Sequence, residues 1–139
     1  MANEGFLGKH TIGGERAATS DHQVVLHYLP LSEAARAKAI PVGTVLKRVD
    51  ATETTGEGEA AVTTVLGAAW EPLLSNDETT VIPAAVVDSP CDPTGESAET
   101  SALCVVHGGV KARLLKTGDD KPLTDIQMAL LMERGIFAV

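Results

Sequence analysis

Six side chains have the chemistry to ligate a metal or to support a nucleophile: His10, His22, His27, His107, Cys91 and Cys104. Their spacing works against both uses. His22 and His27 are five residues apart and Cys104 and His107 are three apart. Strand side chains alternate between faces, so these odd separations put each pair on opposite sides of a strand. A nucleophile would be Cys91 or Cys104 with His107 and Asp88, but no helix N-terminus follows Cys91 to lower its thiol pKa. The carboxylates lie in loops with glycine and threonine, as solvated charges do. Gly13-Gly14 and Gly108-Gly109 lack the strand–loop–helix setting and the Lys and Ser/Thr of a phosphate cradle. The pattern therefore predicts no catalytic residue, no cofactor and no metal site.

Composition narrows the function further. The chain has 139 residues with a net charge of −8, from 19 acidic and 11 basic side chains. Phosphate backbones need clustered Lys and Arg, so nucleic acid is disfavoured, as is an anionic membrane. Aromatic residues are only 3% of the chain, which leaves little to stack on bases or sugars, while 44% hydrophobic residues suffice for a core of Val, Leu, Ile and Ala. No apolar run approaches the roughly 20 residues of a membrane span, and the first residues do not read as a secretory signal. The two cysteines are expected to stay reduced in a cytoplasm, a bridge between them being the alternative.

Local patterns supply the elements that would position any site. Residues 1–22 are rich in glycine, threonine, alanine and serine, with Phe6, Leu7 and Ile12 as the apolar anchors. They are expected to form a flexible arm that orders on a partner, for example as an added strand, ahead of a single domain at 23–139. Strands are expected at 24–29, 44–49, 61–66 and within the apolar run 79–87, where Pro83 points to an edge or a bulge. A short helical stretch is expected at 33–38. Residues 50–60 read as an acidic loop and 88–101 as a long polar one. Runs 102–107 and 110–115 flank Gly108-Gly109, a hairpin signal. Thr124 and Gln127 fit a capping box for a last helix that stops at Gly135. That helix is apolar over more than one face, so its surplus, with Met128, Leu131 and Met132, is the expected subunit contact. A terminal strand follows at 136–139. The fold class is α+β and β-rich: a compact mixed sheet or barrel-like domain with one or two short helices.

Taken in order, these segments resemble the bacteriophage head-decoration proteins, the family of phage lambda's capsid-stabilising protein. The resemblance runs over about residues 24–139. It rests on Val42-Gly43-Thr44-Val45-Leu46, on Ala69-Trp70 before a polar turn and the run Val81 to Val87, on Leu103 to Leu115, and on Leu130-Leu131-Met132-Glu133-Arg134-Gly135-Ile136. The sequence departs at Pro83-Ala84, where relatives often carry a glycine, and in segments 32–39 and 88–101, which look like insertions.

The resemblance implies a homotrimer that sits at threefold positions on the expanded head, with the major capsid protein as partner. There it clamps neighbouring coat subunits against internal DNA pressure. It also implies a location on the outer surface of the virion capsid, after assembly in the host cytoplasm, and an N-terminal arm that orders on the capsid, for which Phe6, Leu7 and Ile12 are the candidate contacts. Two alternatives remain: another structural head or tail component, and a small hydrolase or ligand-binding enzyme using His107.

Overall fold

The computed structural model describes residues 16–19 and 23–139. Six strands form one sheet: β1 (Val25–Pro30), β2 (Val45–Thr55), β3 (Val62–Pro72), β4 (Pro83–Val87), β5 (Ser101–Val110) and β6 (Ile136–Ala138). The order β1-β5-β4-β2-β3 is antiparallel throughout, and β6 adds parallel to the end of β5. One helix, α1 (Asp125–Glu133), and three short 3-10 turns complete an α+β, β-rich domain, the expected class.

Period-two alternation builds two cores, one on each face of the sheet. Leu26, Val45, Val86, Leu103 and Val105 face one cluster, which α1 and β6 close with Leu131 and Ile136. Leu29, Leu46, Ala85, Val87, Ala102 and Cys104 face the other, covered by Leu31, Ala35, Ile40 and Cys91. This explains why the central strands read as continuous apolar runs. Burying one such side chain is worth about 1.5–3 kcal/mol.

Three local expectations change. The Gly108-Gly109 hairpin is absent: β5 runs through both glycines to Val110, and Ala112–Leu114 is a 3-10 turn instead of a strand. The glycine at 108 serves a close approach. Its φ is +114°, and a Cβ there would lie 2.8–2.9 Å from atoms of Gln23 and Val24 beside β1. Of the two readings of Pro83, the bulge holds and the edge does not: Pro83 opens β4, between β2 and β5, where Leu46↔Ala85 and Lys47↔Pro83 leave Ala84 as an extra residue.

The first half of the acidic stretch expected as a loop is strand: β2 runs on to Thr55, and the loop shrinks to residues 56–61 around the 3-10 turn Gly58–Ala60. β2 and β3 pair over their full length, from Leu46↔Pro72 to Thr55↔Val62, with Leu66 as an extra residue between the pairs Ala51↔Gly67 and Thr52↔Val65. β4 pairs with β2 only at Val45–Lys47, so the far half of this ribbon runs past the sheet.

The last helix follows its sequence signals. Thr124 Oγ1 accepts from the Gln127 N–H at 3.1 Å, and Gln127 Oε1 accepts from the Thr124 N–H at 3.1 Å. Gly135, at φ +87°, receives the chain after the helix; a Cβ there would lie 2.6 Å from the His107 ring.

Candidate functional site: the anchored root of the N-terminal segment

The best-defined polar site joins Arg16–Thr19 to the sheet. Asp88 follows the apolar run of β4 directly, and its side chain is fully buried. A bare carboxylate at such a place is costly unless charge and hydrogen bonds compensate it. Asp88 Oδ2 accepts from Arg16 Nε at 2.7 Å and from Arg16 Nη2. Its Oδ1 accepts from the Ala18 N–H at 2.8 Å. The backbone completes the attachment. Ala17 N–H donates to the Asp88 carbonyl at 3.3 Å, Lys111 N–H to the Ala17 carbonyl at 2.8 Å, and Thr19 N–H to the Gly109 carbonyl at 3.2 Å. Ala18 bridges Val110 in antiparallel fashion, and Ala17 is a fully buried member of the core cluster beneath α1.

This geometry corrects the expected division at residue 22: Arg16–Thr19 belongs to the body. The arrangement is a clamp: Oδ2 of Asp88 is engaged by the Arg16 guanidinium and Oδ1 by the Ala18 N–H. Phe6, Leu7, Ile12, His10, His22 and Gly13-Gly14 lie outside the described residues.

The nucleophile grouping considered from sequence is not assembled. Cys91 and Cys104 are both free and buried. Burial pushes the Cys91 thiol up to about 12, helped by its hydrogen bond to Glu99 and the nearby acidic charge. Burial raises the Cys104 thiol as well, with Cys91 and Asp88 adding to it. Both stay protonated thiols, as structural cysteines do. His107 is exposed beside the Gly135 turn, and Asp88 is held by Arg16. Among the described residues, no three His, Cys, Asp or Glu side chains gather to hold a metal, and no helix is long and apolar enough to cross a membrane.

The expected subunit contact divides. Leu131 is fully buried and serves its own chain's core, so it offers nothing to a partner. Met128 is half-buried against the same core. Met132 points outward and is 52% exposed, as is Ile126. The helix is less apolar inside than its sequence suggests, because its second buried side chain is Gln127, whose amide donates to the Leu74 carbonyl at 3.1 Å.

Two further polar features lie near the surface. A cleft of about 280 Å³ opens between Lys38, Ile40, Thr44, Pro72 and Lys116. Its lysines are already engaged: Lys38 with the Gly118 carbonyl at 3.4 Å, Lys116 with Asp120 at 3.5 Å. Beyond it, Asp119 accepts from Ser75 Oγ, from the Ser75 N–H at 3.0 Å and from Thr117 Oγ1 at 2.6 Å. Those donors hold its carboxyl well below the usual carboxylate range.

The Asp88 clamp was half-visible in the sequence, as a carboxylate set straight after Val86-Val87. Nothing pointed to Arg16 as its partner, 72 residues away. A scan against known protein families, a search of curated proteins and a search of solved structures each found no match to this chain.

Proposed function

We propose that this chain is a capsid-decoration protein, which binds the expanded phage head as a homotrimer and stiffens it against internal pressure. The observation that supports this reading best is the clamp at Asp88. It ties Arg16–Thr19 to the sheet, so a partner held by the expected arm just ahead of Arg16 would be tethered to one rigid domain. A cementing protein needs area, multivalency and rigidity and no reacting group. Three anchored segments on one trimer raise the apparent affinity through effective concentration, by roughly 10²-fold or more, without strengthening a single contact. The order of segments that resembles the decoration family is consistent with the same reading: the turn at Gly43, Trp70 in β3, β4, β5, and α1 ending at Gly135-Ile136.

Co-sedimentation with expanded and unexpanded heads tests it. The full chain is expected on expanded heads only. The truncation must stop before Arg16, since a longer one removes a core residue and strands Asp88. Deleting residues 2–15 should leave a folded trimer whose head occupancy falls by about 10²-fold. Full occupancy by the truncated trimer would refute the role of the arm, and no sedimentation of the full chain with either head would refute the function.

A further inference from the structure

The cleft between Lys38 and Lys116 has walls held by backbone hydrogen bonds. Ile40 exchanges two of them with Cys91, at 2.7 and 3.0 Å, which anchors the segment that carries Lys38. On the other side the Val45 N–H donates to the Lys116 carbonyl at 2.9 Å and the Lys116 N–H to the Gly43 carbonyl at 3.1 Å, so Lys116 is laced to the start of β2. The Gly118 N–H donates to the Leu73 carbonyl at 2.7 Å, and a Cβ on Gly118 would lie 2.5 Å from that of Pro72. These two segments approach as only a glycine allows. A cleft built this way is formed before any ligand arrives, and a preformed site spends little free energy on ordering.

The floor of the cleft is apolar and its rim is cationic. Ile40 and Thr44 are buried at the floor, and the Thr44 hydroxyl donates to the Pro41 carbonyl at 2.7 Å. Pro41 and Pro72 flank them. At the rim, two ammonium groups from distant parts of an acidic chain face one cavity of about 280 Å³. The contacts that engage them are weak. Lys38 reaches the Gly118 carbonyl at 3.4 Å, beyond the roughly 2.7–3.2 Å of an ordinary hydrogen bond. Lys116 is 3.5 Å from Asp120, a carboxylate whose side chain is 85% exposed, and such pairs contribute little. Each ammonium has three donors, so both retain donors for an anion, and Asp120 returns to water at small cost. The cavity lies just under the range of roughly 300–1,000 Å³ typical of drug-sized ligands, which suits a smaller one. An apolar floor below paired cations favours a carboxylate with an aliphatic body over a bare inorganic anion, which would leave the floor unused.

We propose that this cleft binds a carboxylate with a small aliphatic body. Lys38 and Lys116 hold the charge through charge-assisted hydrogen bonds, while Ile40, Pro41 and Pro72 take the body. The carboxylate can come from a free short-chain acid or from the C-terminal residue of a peptide. The site is independent of the capsid reading and needs no other copy of the chain.

Amide NMR titration of the full-length chain tests it, with four probes: isovalerate, N-acetyl-valine as a mimic of a peptide C-terminus, isovaleramide and inorganic phosphate. The Thr44, Lys116 and Gly118 amides should shift and saturate with one of the two carboxylates, with a Kd on the order of 1 mM for so small a ligand. Isovaleramide and inorganic phosphate should bind at least about tenfold more weakly, and Lys38→Met and Lys116→Met should each weaken carboxylate binding roughly tenfold. Lys38 is exposed, so its variant is expected to keep the parent circular dichroism spectrum. Tighter binding of N-acetyl-valine assigns the peptide C-terminus, and tighter binding of isovalerate assigns the free acid. No saturable shift with either carboxylate, equal affinity for isovaleramide or phosphate, or unchanged affinity in a folded Lys38→Met, Lys116→Met double variant would overturn the site.

Discussion

Two segments at the margin of the sheet, Arg16–Thr19 and Thr52–Val65, are built in opposite ways. At Arg16–Thr19 a segment with a single apolar core residue, Ala17, is drawn into the protein by a buried carboxylate and a run of backbone hydrogen bonds. At Thr52–Val65 a paired ribbon projects with nothing packed against either face. Local preference distinguishes the two poorly, since both consist largely of small and polar residues. Tertiary contacts decide: the clamp supplies a charge that must be neutralised, and the ribbon supplies only edges.

Breaking the clamp is the largest perturbation available to this comparison. Arg16→Ala leaves Asp88 fully buried with only the Ala18 N–H on its carboxylate. Stranding one partner of a buried ion pair costs about 3–5 kcal/mol. Arg16 is 39% exposed, so solvent screens part of the pair and the lower end is expected. Chemical denaturation should show that loss at unchanged slope. The double variant Arg16→Leu with Asp88→Leu should recover most of it, because it buries no charge. A cost below about 1 kcal/mol for Arg16→Ala would place the segment outside the cooperative body.

How much of this was legible follows from where each signal resides. The strands β4 and β5 were readable, because each carries a short uninterrupted apolar run; that these runs feed a core on each face of the sheet shows only in the fold. The α1 cap was readable, because Thr124 and Gln127 lie three residues apart and the contact is local. Gly108-Gly109 misled: a glycine pair between β-prone runs signals a turn equally well as a close approach, and only Gln23 and Val24, far away in sequence, distinguish the two. Residues 50–60 misled in part. The glycines and glutamates from Gly56 to Glu59 do turn the chain, but Asp50–Thr55 are strand through pairing with Val62–Ala68, a partner that composition does not reveal. Arg16 was invisible for the same reason. A salt bridge across 72 residues leaves no local trace.

A change in pH sharpens the contrast with a milder effect. Asp119 ties the Ser75 turn to the Thr117–Lys121 turn, and its carboxyl is held below the usual value by the Ser75 and Thr117 hydroxyls and the Ser75 N–H. A carboxylate with a depressed folded-state pKa contributes stability at pH values above its unfolded value of about 3.9. That contribution is lost as the pH falls from there toward the folded value. Urea unfolding at pH 6 and pH 3 should therefore show a smaller loss for Asp119→Asn than for the parent. Asp119 is solvent-exposed, so the difference is modest and shrinks in high salt. Equal losses in the two proteins would mean that these hydrogen bonds do not persist in solution.

The smallest expected effect is the most discriminating. Val65→Thr keeps a β-branched side chain on an exposed strand, so in dilute protein its stability cost should fall within about 0.5 kcal/mol. The same substitution at Val86, fully buried in the central strand β4, puts a hydroxyl into the core and is expected to cost about 1–3 kcal/mol. A ribbon that belonged energetically to the body would show comparable losses at both positions. A ribbon that stands apart from the body would show almost none at Val65. Thermal unfolding of the two variants in dilute protein separates these outcomes.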